Sequence, residues 1–417
     1  MQNKVKKQKA VITGMGVISP LGENVNEYWA NLEQGVSGIG PMTLCDPSEF
    51  PSKIAGEVNT FDPITYIDKK EAKRMARFSQ MAVAAANLAI ENANITFTKD
   101  ELNRTAVIIG NGNGGFPEIE QNARAQVLKG ETKVSPYFIP MILPNMAAAN
   151  ISRIFGFKGF SSTVVTACAA STQSIGDAAL LINNEMCDIV LAGGCESGIT
   201  KLGLGGFSAL RALSTQNEEP AKASKPFDIN RDGFVPAEGA GMFVIESEGH
   251  AIKRGANILC EIVGMGVSSD AHHPVQPDPS GDGAILSMER ALNNANINNE
   301  EIDYINAHGT STPLNDICET NALKKLFKEH AYKVPISSTK SMIGHVLGGA
   351  GALEGIATVL SIINQKAHPT INLETPDPEC DLNYVPNKSM DVKIDYAMSN
   401  NFGFGGQNAS IIFRNPN

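Results

Sequence analysis

One cysteine with small neighbours is the strongest candidate nucleophile in this sequence. Cys168 follows a run of β-branched and small residues that predicts a buried strand ending near Thr166, and a helical pattern runs from Ser174 onward. Small side chains on both sides would let a reacting carbonyl approach the sulfur. A helix N-terminus favours negative charge and would stabilise the thiolate over the thiol. These residue types predict an activated nucleophile, with a buried structural cysteine as the alternative.

Two histidines are candidate partners for this cysteine. His308 follows a predicted strand over residues 302–306, and His345 comes shortly after another strand end. Such positions lie at the mouth of an α/β sheet, where these proteins carry out their chemistry. Either histidine alone could be a hydrogen-bonded structural residue, but both together with Cys168 favour a common site. The other histidines are interpreted as surface or loop residues, with His272 kept as a site-lining candidate: His250, His272, His273, His330 and His368.

The elements that must position these side chains follow an α/β pattern. Thirty-nine glycines punctuate short apolar runs that alternate with helical patterns. Strands are predicted over residues 10–17, 104–109, 188–194 and 241–246, and helices over residues 24–34 and 69–92, the second as one long helix.

An internal repeat divides the chain into two related halves. Residues 12–19 return as residues 262–269, and residues 89–95 return as residues 291–297, in the same order. Each match pairs a helix end with a strand that enters a glycine-rich turn. The repeat predicts a duplicated α/β unit, with residues 1–255 carrying the nucleophile and residues 256–417 carrying the two histidines. The site is expected where the halves meet.

Composition excludes several classes of function. The chain has 417 residues, 42% of them hydrophobic, and a net charge of −10, which argues against generic nucleic-acid binding. No run of apolar residues is expected to be nearly as long as the roughly 18 residues that a membrane span needs. The basic residues at the N-terminus are interpreted as a solvent-exposed segment before the first strand, not as a signal peptide. The seven cysteines are scattered and include no C-x-x-C pair, so neither disulfides nor a zinc site is predicted. This pattern indicates a reducing, cytoplasmic setting.

Four motifs carry a family resemblance. Thr166-Ala167-Cys168 and residues 306–312, 338–345 and 401–406 resemble the elongating, type II β-ketoacyl-acyl-carrier-protein synthases, and more broadly the thiolase superfamily, nearly end to end. The resemblance implies a five-layered αβαβα fold of two pseudo-symmetric halves. A Cys-His-His set separates this branch from initiating synthases, which resemble Cys-His-Asn, and from thiolases, which use a second cysteine. Cys168 also argues against the decarboxylase-like partner subunits, which lack the nucleophile.

The reaction implied by the resemblance is a decarboxylative Claisen condensation. Cys168 would take an acyl group from an acyl carrier protein, and malonyl carrier protein would then lose carbon dioxide. The resulting carbanion would attack the acyl-cysteine and extend the chain by two carbons. Decarboxylation places negative charge on the malonyl thioester oxygen, and neutral His308 and His345 are assigned to donate hydrogen bonds to it.

The resemblance also implies supporting roles. Lys340 and Glu354 would hold charge balance and orientation around the histidines. The backbone N–H groups of Cys168 and Phe404 would form an oxyanion hole for acyl transfer, and Phe404 would act as a gate over the sulfur. Thr310 and Thr312 would bind the phosphopantetheine arm. A surface lysine, ordinary turn chemistry and a core phenylalanine are the structural alternatives.

An acidic carrier protein requires a basic docking patch, because this chain is itself acidic. Candidate docking residues are basic side chains on one predicted helix face together with three others: Lys69, Lys70, Lys73 and Arg74, then Arg124, Lys129 and Arg211. A solvated helix face is the alternative. No metal or organic cofactor is expected, since the pantetheine arm arrives with the substrate.

Several functions remain open at this point. Fatty-acid elongation by a cytoplasmic homodimer is favoured. A ketosynthase of a type II polyketide or polyene pathway, working with a ketosynthase-like partner subunit, is the alternative, because residues 110–115 and 168–173 are less apolar than an acyl pocket would suggest. A non-catalytic assembly subunit and a Cys-His hydrolase are also considered. The first would not need the intact Cys-His-His set, and the second would not need the second histidine and the lysine.

Overall fold

The chain folds into alternating strands and helices, which a computed structural model describes for residues 8–130 and 132–417. The basic lead-in before residue 8 lies outside the described residues. The strands are β1 (Ala10–Ile18), β2 (Ile39–Pro41), β3 (Ile54–Gly56), β4 (Ala106–Gly110), β5 (Ser161–Val164), β6 (Ile189–Glu196), β7 (Gly239–Ser247), β8 (Cys260–Ser269), β9 (Tyr304–Asn306), β10 (Ile336–Ser337), β11 (Lys366–Ala367), β12 (Met390–Asp391), β13 (Tyr396–Gly403) and β14 (Gln407–Arg414). The α-helices are α1 (Val25–Gln34), α2 (Lys69–Ala72), α3 (Arg77–Asn92), α4 (Lys99–Arg104), α5 (Phe116–Lys129), α6 (Phe138–Ile142), α7 (Met146–Phe155), α8 (Ala170–Asn183), α9 (Lys201–Ala209), α10 (Glu248–Lys253), α11 (Asp282–Ala295), α12 (Pro313–Phe327), α13 (Lys340–Ile343) and α14 (Ala350–Asn364). Short 3-10 turns are Pro63–Thr65, Ala167–Ala169, Pro220–Lys222, Asn299–Glu301, Lys328–Tyr332 and Leu347–Gly349.

Ten strands form one mixed sheet in the order β10-β9-β13-β14-β8-β1-β7-β6-β4-β5. From each edge inward, two parallel pairings are followed by two antiparallel ones, so β5-β4-β6-β7-β1 and β10-β9-β13-β14-β8 have the same arrangement. The two sets join where β1 pairs antiparallel with β8 through Ala10, Val11 and Ile12.

Layers of helices cover both faces of each set of strands. In β4, Val107 and Ile109 enter an apolar cluster with α3, whereas Ala106 and Ile108 enter a second cluster shared with α8 and α14. A third cluster packs α11 and α12 on the other set of strands. Strands that are buried on both faces typically consist of continuous runs of apolar residues, which explains the sequence of β4. The two sets of strands are the two β layers, with α8 and α14 between them and α3, α11 and α12 outside, which gives the five-layered αβαβα fold.

The repeated sequence segments form equivalent helix-on-strand contacts. A Cβ atom at Gly16 on β1 would lie 2.0 Å from the Ala85 carbonyl oxygen on α3, and one at Gly266 on β8 would lie 1.9 Å from the Ser287 carbonyl oxygen on α11. Only glycine permits these close backbone approaches. Matching hydrogen bonds join each strand to its helix: Met15 N to Asn92 Oδ1 (2.9 Å) and Met265 N to Asn294 Oδ1 (3.1 Å).

The predicted long helix over residues 69–92 is wrong. The structure has two helices there, α2 and α3, separated at Ala76, whose φ of −69° and ψ of 155° are extended. The side-chain amide of Gln80 donates to the carbonyl oxygens of Ala72 (2.8 Å) and Met75 (3.2 Å), which satisfies the end of the first helix. The apolar stripe continues across the break, so periodicity alone did not reveal it.

One segment contradicts the prediction about apolar runs. Leu347–Asn364 is long and apolar enough, by length and composition, to cross a membrane. However, 89% of the segment is buried inside the protein, where α14 packs between the two sets of strands. A core helix passes the same test, so this segment is explained by its place in the fold.

Candidate active site

Cys168 lies in the 3-10 turn Ala167–Ala169, between β5 and α8. The strand before it is an edge strand with partly exposed residues, not the buried strand predicted, and the helix begins at Ala170, ahead of the predicted Ser174. Ala167 has a φ of 49°, in the left-handed region. A Cβ atom at Gly403 would lie 3.0 Å from Cys168 N, so glycine lets the end of β13 pack directly on this turn.

Three side chains that are far apart in sequence converge at this turn. The Sγ atom of Cys168 and one ring nitrogen each of His308 and His345 lie within 4.8 Å of one another, and all three residues are buried. The Nε2 atom of His345 is 3.0 Å from Sγ, and the two imidazole centroids are 5.4 Å apart with the rings at 81°. The structure therefore brings together the three residues that the sequence singled out.

Hydrogen bonds on the far sides of the rings determine which nitrogen carries the proton. The backbone N–H of Leu347 donates to Nδ1 of His345 (3.3 Å). Lys340 Nζ (3.2 Å) and Asn401 Nδ2 (3.3 Å), both donors, face Nδ1 of His308. Both neutral imidazoles therefore carry the proton on Nε2. A metal ion would need a lone pair on those atoms, so this arrangement suits hydrogen-bond donation better than ion binding.

Burial decides the protonation of all three groups. It lowers the pKa of His308 well below its usual value, and nearby Lys340 and His345 add to the effect. Burial, and to a smaller extent the charge of Lys340, also lowers the pKa of His345. Burial raises the pKa of the Cys168 thiol to about 12, although Lys340 and the backbone N–H of Phe404 act against it. Desolvation therefore acts against the thiolate that a helix N-terminus would favour.

Lys340 and Glu354 form an ion pair directly behind His308. Their side chains are 1% and 0% exposed. Glu354 Oε2 also accepts from Asn401 Nδ2 (2.7 Å), and Asn401 Oδ1 accepts from the Thr172 hydroxyl. Lys340 is thus not the surface lysine of the alternative interpretation. Asn401 received no role in the sequence analysis, although it opens the motif over residues 401–406.

Two more residues that the sequence analysis missed support the histidines. The buried carboxylate of Glu319, on α12, accepts from the backbone N–H groups of His308 and Gly309, both at 2.8 Å. Burial raises the pKa of Glu319 to about 7. The ring of Phe234 packs edge-on against His345 at 5.2 Å. An acidic residue within the helical pattern after His308 was the available signal for Glu319, whereas Phe234 had none.

Phe404 lies in the turn between β13 and β14, and its side chain is partly buried. Its backbone N–H lies close enough to the Cys168 sulfur to lower the pKa of the thiol. Gly405 and Gly406 follow with φ of 82° and 69°, conformations that favour glycine. The N–H of Gly405 donates to the Pro274 carbonyl oxygen (2.8 Å), which ties this turn to a neighbouring loop.

The two predicted pantetheine-binding residues lie just before α12, on the turn that carries His308. The hydroxyl oxygens of Thr310 and Thr312 are 2.9 Å apart. Thr310 is buried, and Thr312 is partly exposed.

All seven predicted docking residues are exposed: Lys69, Lys70, Lys73, Arg74, Arg124, Lys129 and Arg211. The short helix α2 ends before Lys73 and Arg74, so the four do not share one helix face as predicted. Arg74 pairs with Glu71 (3.7 Å) and lies 5.4 Å from the Tyr137 ring centroid. Arg124 and Lys129 line a surface groove of about 480 Å³.

The other histidines do not reach the site. His272 and His273 are exposed, so His272 is not shown to line the site. His368 lies in a loop directly after β11, within the predicted surface or loop assignment, but it is fully buried and not at the surface. Its Nδ1 donates to the Pro369 carbonyl oxygen (3.1 Å), and Nε2 lies 3.0 Å from the Thr339 hydroxyl. Burial lowers the pKa of His368 to about 4.

Comparison with known sequences agrees with this geometry. Residues 7–251 match the β-ketoacyl synthase N-terminal domain, and residues 259–374 match the β-ketoacyl synthase C-terminal domain. The 3-oxoacyl-[acyl-carrier-protein] synthase 2 of Coxiella burnetii is 48% identical over 408 residues, covering 98% of this chain and 99% of the relative. The enzyme of the same name from Synechocystis is 45% identical over 410 residues, with the same two coverages.

Solved structures of ketosynthases share the fold. The ishigamide ketosynthase/chain length factor superposes with a TM-score of 0.92 at 34% identity, covering 99% of this chain and 100% of that one. A ketosynthase bound to a hexaketide, in complex with its type II polyketide synthase acyl carrier protein, has a TM-score of 0.90 at 34% identity, covering 98% and 100%. The chain is therefore a member of the β-ketoacyl synthase family of condensing acyltransferases.

Proposed function

We propose that this chain extends an acyl chain by two carbons, through decarboxylative condensation of malonyl carrier protein with an acyl group held on Cys168. The convergence of the Cys168 sulfur with two neutral imidazoles, His308 and His345, within 4.8 Å carries the proposal. A cysteine hydrolase would need one of these imidazoles, and a non-catalytic subunit would need neither.

In the first step, the sulfur of Cys168 attacks the thioester carbonyl of an acyl carrier protein. The bond from the carbonyl carbon to the carrier sulfur breaks, and the proton lost by the Cys168 thiol leaves with the carrier thiol. The backbone N–H groups of Cys168 and Phe404 stabilise the tetrahedral oxyanion. The family resemblance carries this assignment, and the effect of the Phe404 N–H on the pKa of Cys168 indicates that this group lies near the sulfur.

In the second step, malonyl carrier protein loses carbon dioxide, and the electron pair of the broken carbon–carbon bond forms an enolate. The Nε2–H groups of His308 and His345 donate to the enolate oxygen. Because their pKa values are lowered by burial, both rings are neutral donors near pH 7. The enolate carbon then attacks the acyl-cysteine carbonyl, and the carbon–sulfur bond breaks. The Cys168 sulfur leaves as a thiolate and takes up a proton from solvent, and the 3-oxoacyl product stays on the carrier.

The remaining roles are proposed from the family resemblance. Lys340 and Glu354 orient His308 and keep its Nδ1 an acceptor. Thr310 and Thr312 bind the phosphopantetheine arm. Phe404 moves away from Cys168 when the acyl chain enters. No metal or organic cofactor takes part in this scheme.

The partner is an acyl carrier protein. A similar ketosynthase, at 34% identity, has been solved in complex with a type II polyketide synthase carrier, which supports this proposal. The exposed basic residues around α2 and α5 supply the charge for an acidic carrier, since the chain as a whole carries a net charge of −10. We also propose that the enzyme works in the cytoplasm as a homodimer.

Fatty-acid elongation is the pathway we favour, since curated relatives at 48% and 45% identity are named 3-oxoacyl-[acyl-carrier-protein] synthase 2. A polyketide or polyene ketosynthase is the second candidate. It is favoured by the polar loop after β4, where Asn111 and Asn113 lie among glycines, and by the likeness to the ishigamide ketosynthase.

Intact-protein mass spectrometry tests these proposals together. The enzyme is incubated with acyl carrier proteins of increasing chain length, both saturated and polyunsaturated. Fatty-acid elongation predicts that Cys168 is loaded by saturated chains and that malonyl carrier protein then yields 3-oxoacyl products. Loading by polyunsaturated chains alone would favour the second candidate, and no loading by any of them would contradict both.

A further inference from the structure

A buried carboxylate outside the Cys-His-His set ties together the two loops that flank it. Glu196 is the last residue of β6 and is fully buried. Its Oε2 accepts from the backbone N–H groups of Gly112 (2.9 Å) and Gly348 (3.2 Å), and its Oε1 accepts from that of Asn113 (3.3 Å). Gly112 follows β4 in the N-terminal part of the chain, whereas Gly348 lies in the turn after His345. One carboxylate oxygen therefore joins loops from the two halves of the molecule.

Glycine is required for both amides to reach this oxygen. A Cβ atom at Gly112 would lie 2.6 Å from Glu196 Oε2. A Cβ atom at Gly348 would lie 2.3 Å from Gly112 N and 2.9 Å from the same oxygen. Real Cβ atoms do not approach so closely, so the glycines of the two loops are explained by this junction.

The carboxyl group of Glu196 has no ion-pair partner among the residues that the structure describes. Burial raises the pKa of Glu196 to about 7, against the effect of the backbone N–H donors. The charge of Glu196 contributes to the raised pKa of the thiols of Cys168 and Cys195. An unpaired buried carboxyl is costly, and the three backbone donors that converge on it offset part of that cost.

One of the two joined segments contacts a catalytic group directly, and the other follows a strand that packs behind Cys168. The turn that contains Gly348 also contains Leu347, whose N–H donates to Nδ1 of His345 (3.3 Å). On the other side, Gly110 ends β4 directly before the loop, and a Cβ atom there would lie 2.3 Å from Ser171 N, so the end of β4 packs against the start of α8, just behind Cys168. Moving one loop relative to the other would change the distance between the imidazole and the sulfur.

We propose that Glu196 is a positioning residue for the condensation reaction: its carboxylate joins the loop after β4 to the turn after His345, and so holds Nε2 of His345 at 3.0 Å from Cys168 Sγ. The inference rests on the proposed function. Glu196 touches neither reacting atom, so it acts through His345. Misplacing a catalytic group by about 1 Å can cost roughly a hundredfold in rate.

The test compares Glu196→Gln with a matched control, Asp228→Asn. Asp228 is also buried and also accepts from three backbone N–H groups, those of Asn230 (2.8 Å), Glu374 (2.9 Å) and Thr375 (2.7 Å), but those donors do not flank Cys168 or His345. Glutamine keeps the length of Glu196 and replaces one acceptor oxygen by a donor NH₂, which opposes a backbone N–H. Each variant is assayed for carbon dioxide release from malonyl carrier protein and for the rate of Cys168 alkylation by iodoacetamide.

We expect Glu196→Gln to lower kcat for carbon dioxide release by about ten- to a hundredfold, with KM for malonyl carrier protein within about twofold of the unchanged protein. The rate of Cys168 alkylation should also change in Glu196→Gln. Asp228→Asn should keep the rates of carbon dioxide release and of alkylation found for the unchanged protein. If Glu196→Gln does not fold, Glu196→Asp, which keeps the charge but shortens the side chain, takes its place with the same expected result.

Equal losses of kcat in Glu196→Gln and in the control Asp228→Asn would overturn the positioning role. An unchanged kcat in Glu196→Gln would also overturn it. These outcomes differ from a failure of the proposed function, in which the unchanged protein itself would release no carbon dioxide from malonyl carrier protein.

Discussion

The Nε2 atom of His345 lies 3.0 Å from the Sγ atom of Cys168, although the two residues are 177 positions apart in the chain. The sulfur comes from the turn before α8 and the imidazole from the turn before α14. These two helices pack together between the two sets of strands. The site therefore exists only when the two halves of the molecule are assembled, and its geometry depends on their shared core.

The first prediction concerns the decarboxylation donors. Replacing His308 by alanine removes one fixed hydrogen-bond donor to the enolate oxygen, which is typically worth 10²- to 10³-fold in kcat. We expect carbon dioxide release to fall by about that factor, while acyl loading of Cys168, followed by intact mass, continues. His272→Ala, at an exposed position, should leave both unchanged. Normal carbon dioxide release in His308→Ala would remove this imidazole from the mechanism.

The second prediction separates the nucleophile from the decarboxylation donors. In Cys168→Ala no acyl adduct can form, because the sulfur that accepts the acyl group is gone. Both imidazoles remain, so carbon dioxide release from malonyl carrier protein should persist without formation of a 3-oxoacyl product. Measuring adduct mass and carbon dioxide on the same sample checks both parts. An acyl adduct in this variant would show that another residue is the nucleophile.

The third prediction concerns the buried ion pair behind His308. Lys340→Met leaves the Glu354 carboxylate unpaired in the interior, and breaking a buried pair in this way typically costs about 3–5 kcal/mol. Urea denaturation should show a loss of that size in the free energy of unfolding. Adding Glu354→Gln should recover most of the stability but not the activity. Lys393→Met, in an exposed pair with Asp395, is the control and should leave the unfolding midpoint unchanged. A stability loss no larger than that of the control would contradict the structural role of the pair.

The fourth prediction tests the docking patch. Neutralising Lys69 and Lys73 together should raise KM for the carrier protein and leave kcat little changed, because these exposed charges act on encounter and not on chemistry. The effect should weaken as salt is added. Alanine at Lys328 and Lys333, exposed in the C-terminal part of the chain, provides a control of equal charge. An unaltered KM in the Lys69 and Lys73 variant would exclude them from the docking surface.

The fifth prediction concerns stability at low pH. Burial lowers the pKa of His368 to about 4, below the roughly 6.5 of an unfolded chain. Between these values the unfolded state binds a proton that the folded state does not. Stability is therefore full above about pH 6.5 and falls as the pH drops toward 4, by roughly 1.4 kcal/mol per unit for this residue. His308 and His345 act in the same direction.

Urea denaturation between pH 7.5 and 4.5 measures this effect. His368→Gln should flatten the dependence of the unfolding free energy on pH by about one proton, while His273→Gln, at an exposed position, should leave the slope as it is. Identical slopes in the two variants would mean that His368 is protonated in the folded protein.

Local patterns were enough to predict some of these features. Cys168 and the two histidines stand out because a reactive residue follows a strand among small neighbours, and that is a short-range property of the chain. The repeat over residues 12–19 and 262–269 predicted a duplicated α/β unit, but its glycines lie within β1 and β8, where a helix backbone packs closely, and not in the predicted turns. Lys340 and Glu354 were identified through the family resemblance and not by their own spacing.

Other features depend on distant parts of the chain. The break between α2 and α3 at Ala76 left no trace in the apolar periodicity, since both helices bury the same stripe. Burial of His368 is produced by packing against elements elsewhere in the chain. Glu196 and Glu319 become important because backbone N–H groups from other loops point at their carboxylates, and no sequence pattern records where a backbone donor will point.

The sequence by itself determined which side chains could react and that the chain folds as a duplicated α/β unit, because residue type and short-range periodicity are properties of neighbouring residues. Only the tertiary structure decided the protonation of those side chains. The thiol of Cys168 and the imidazoles of His308 and His345 are uncharged because they are buried with one another and with Lys340. Desolvation is set by every atom within a few ångströms, and those atoms come from segments that meet only in the folded protein.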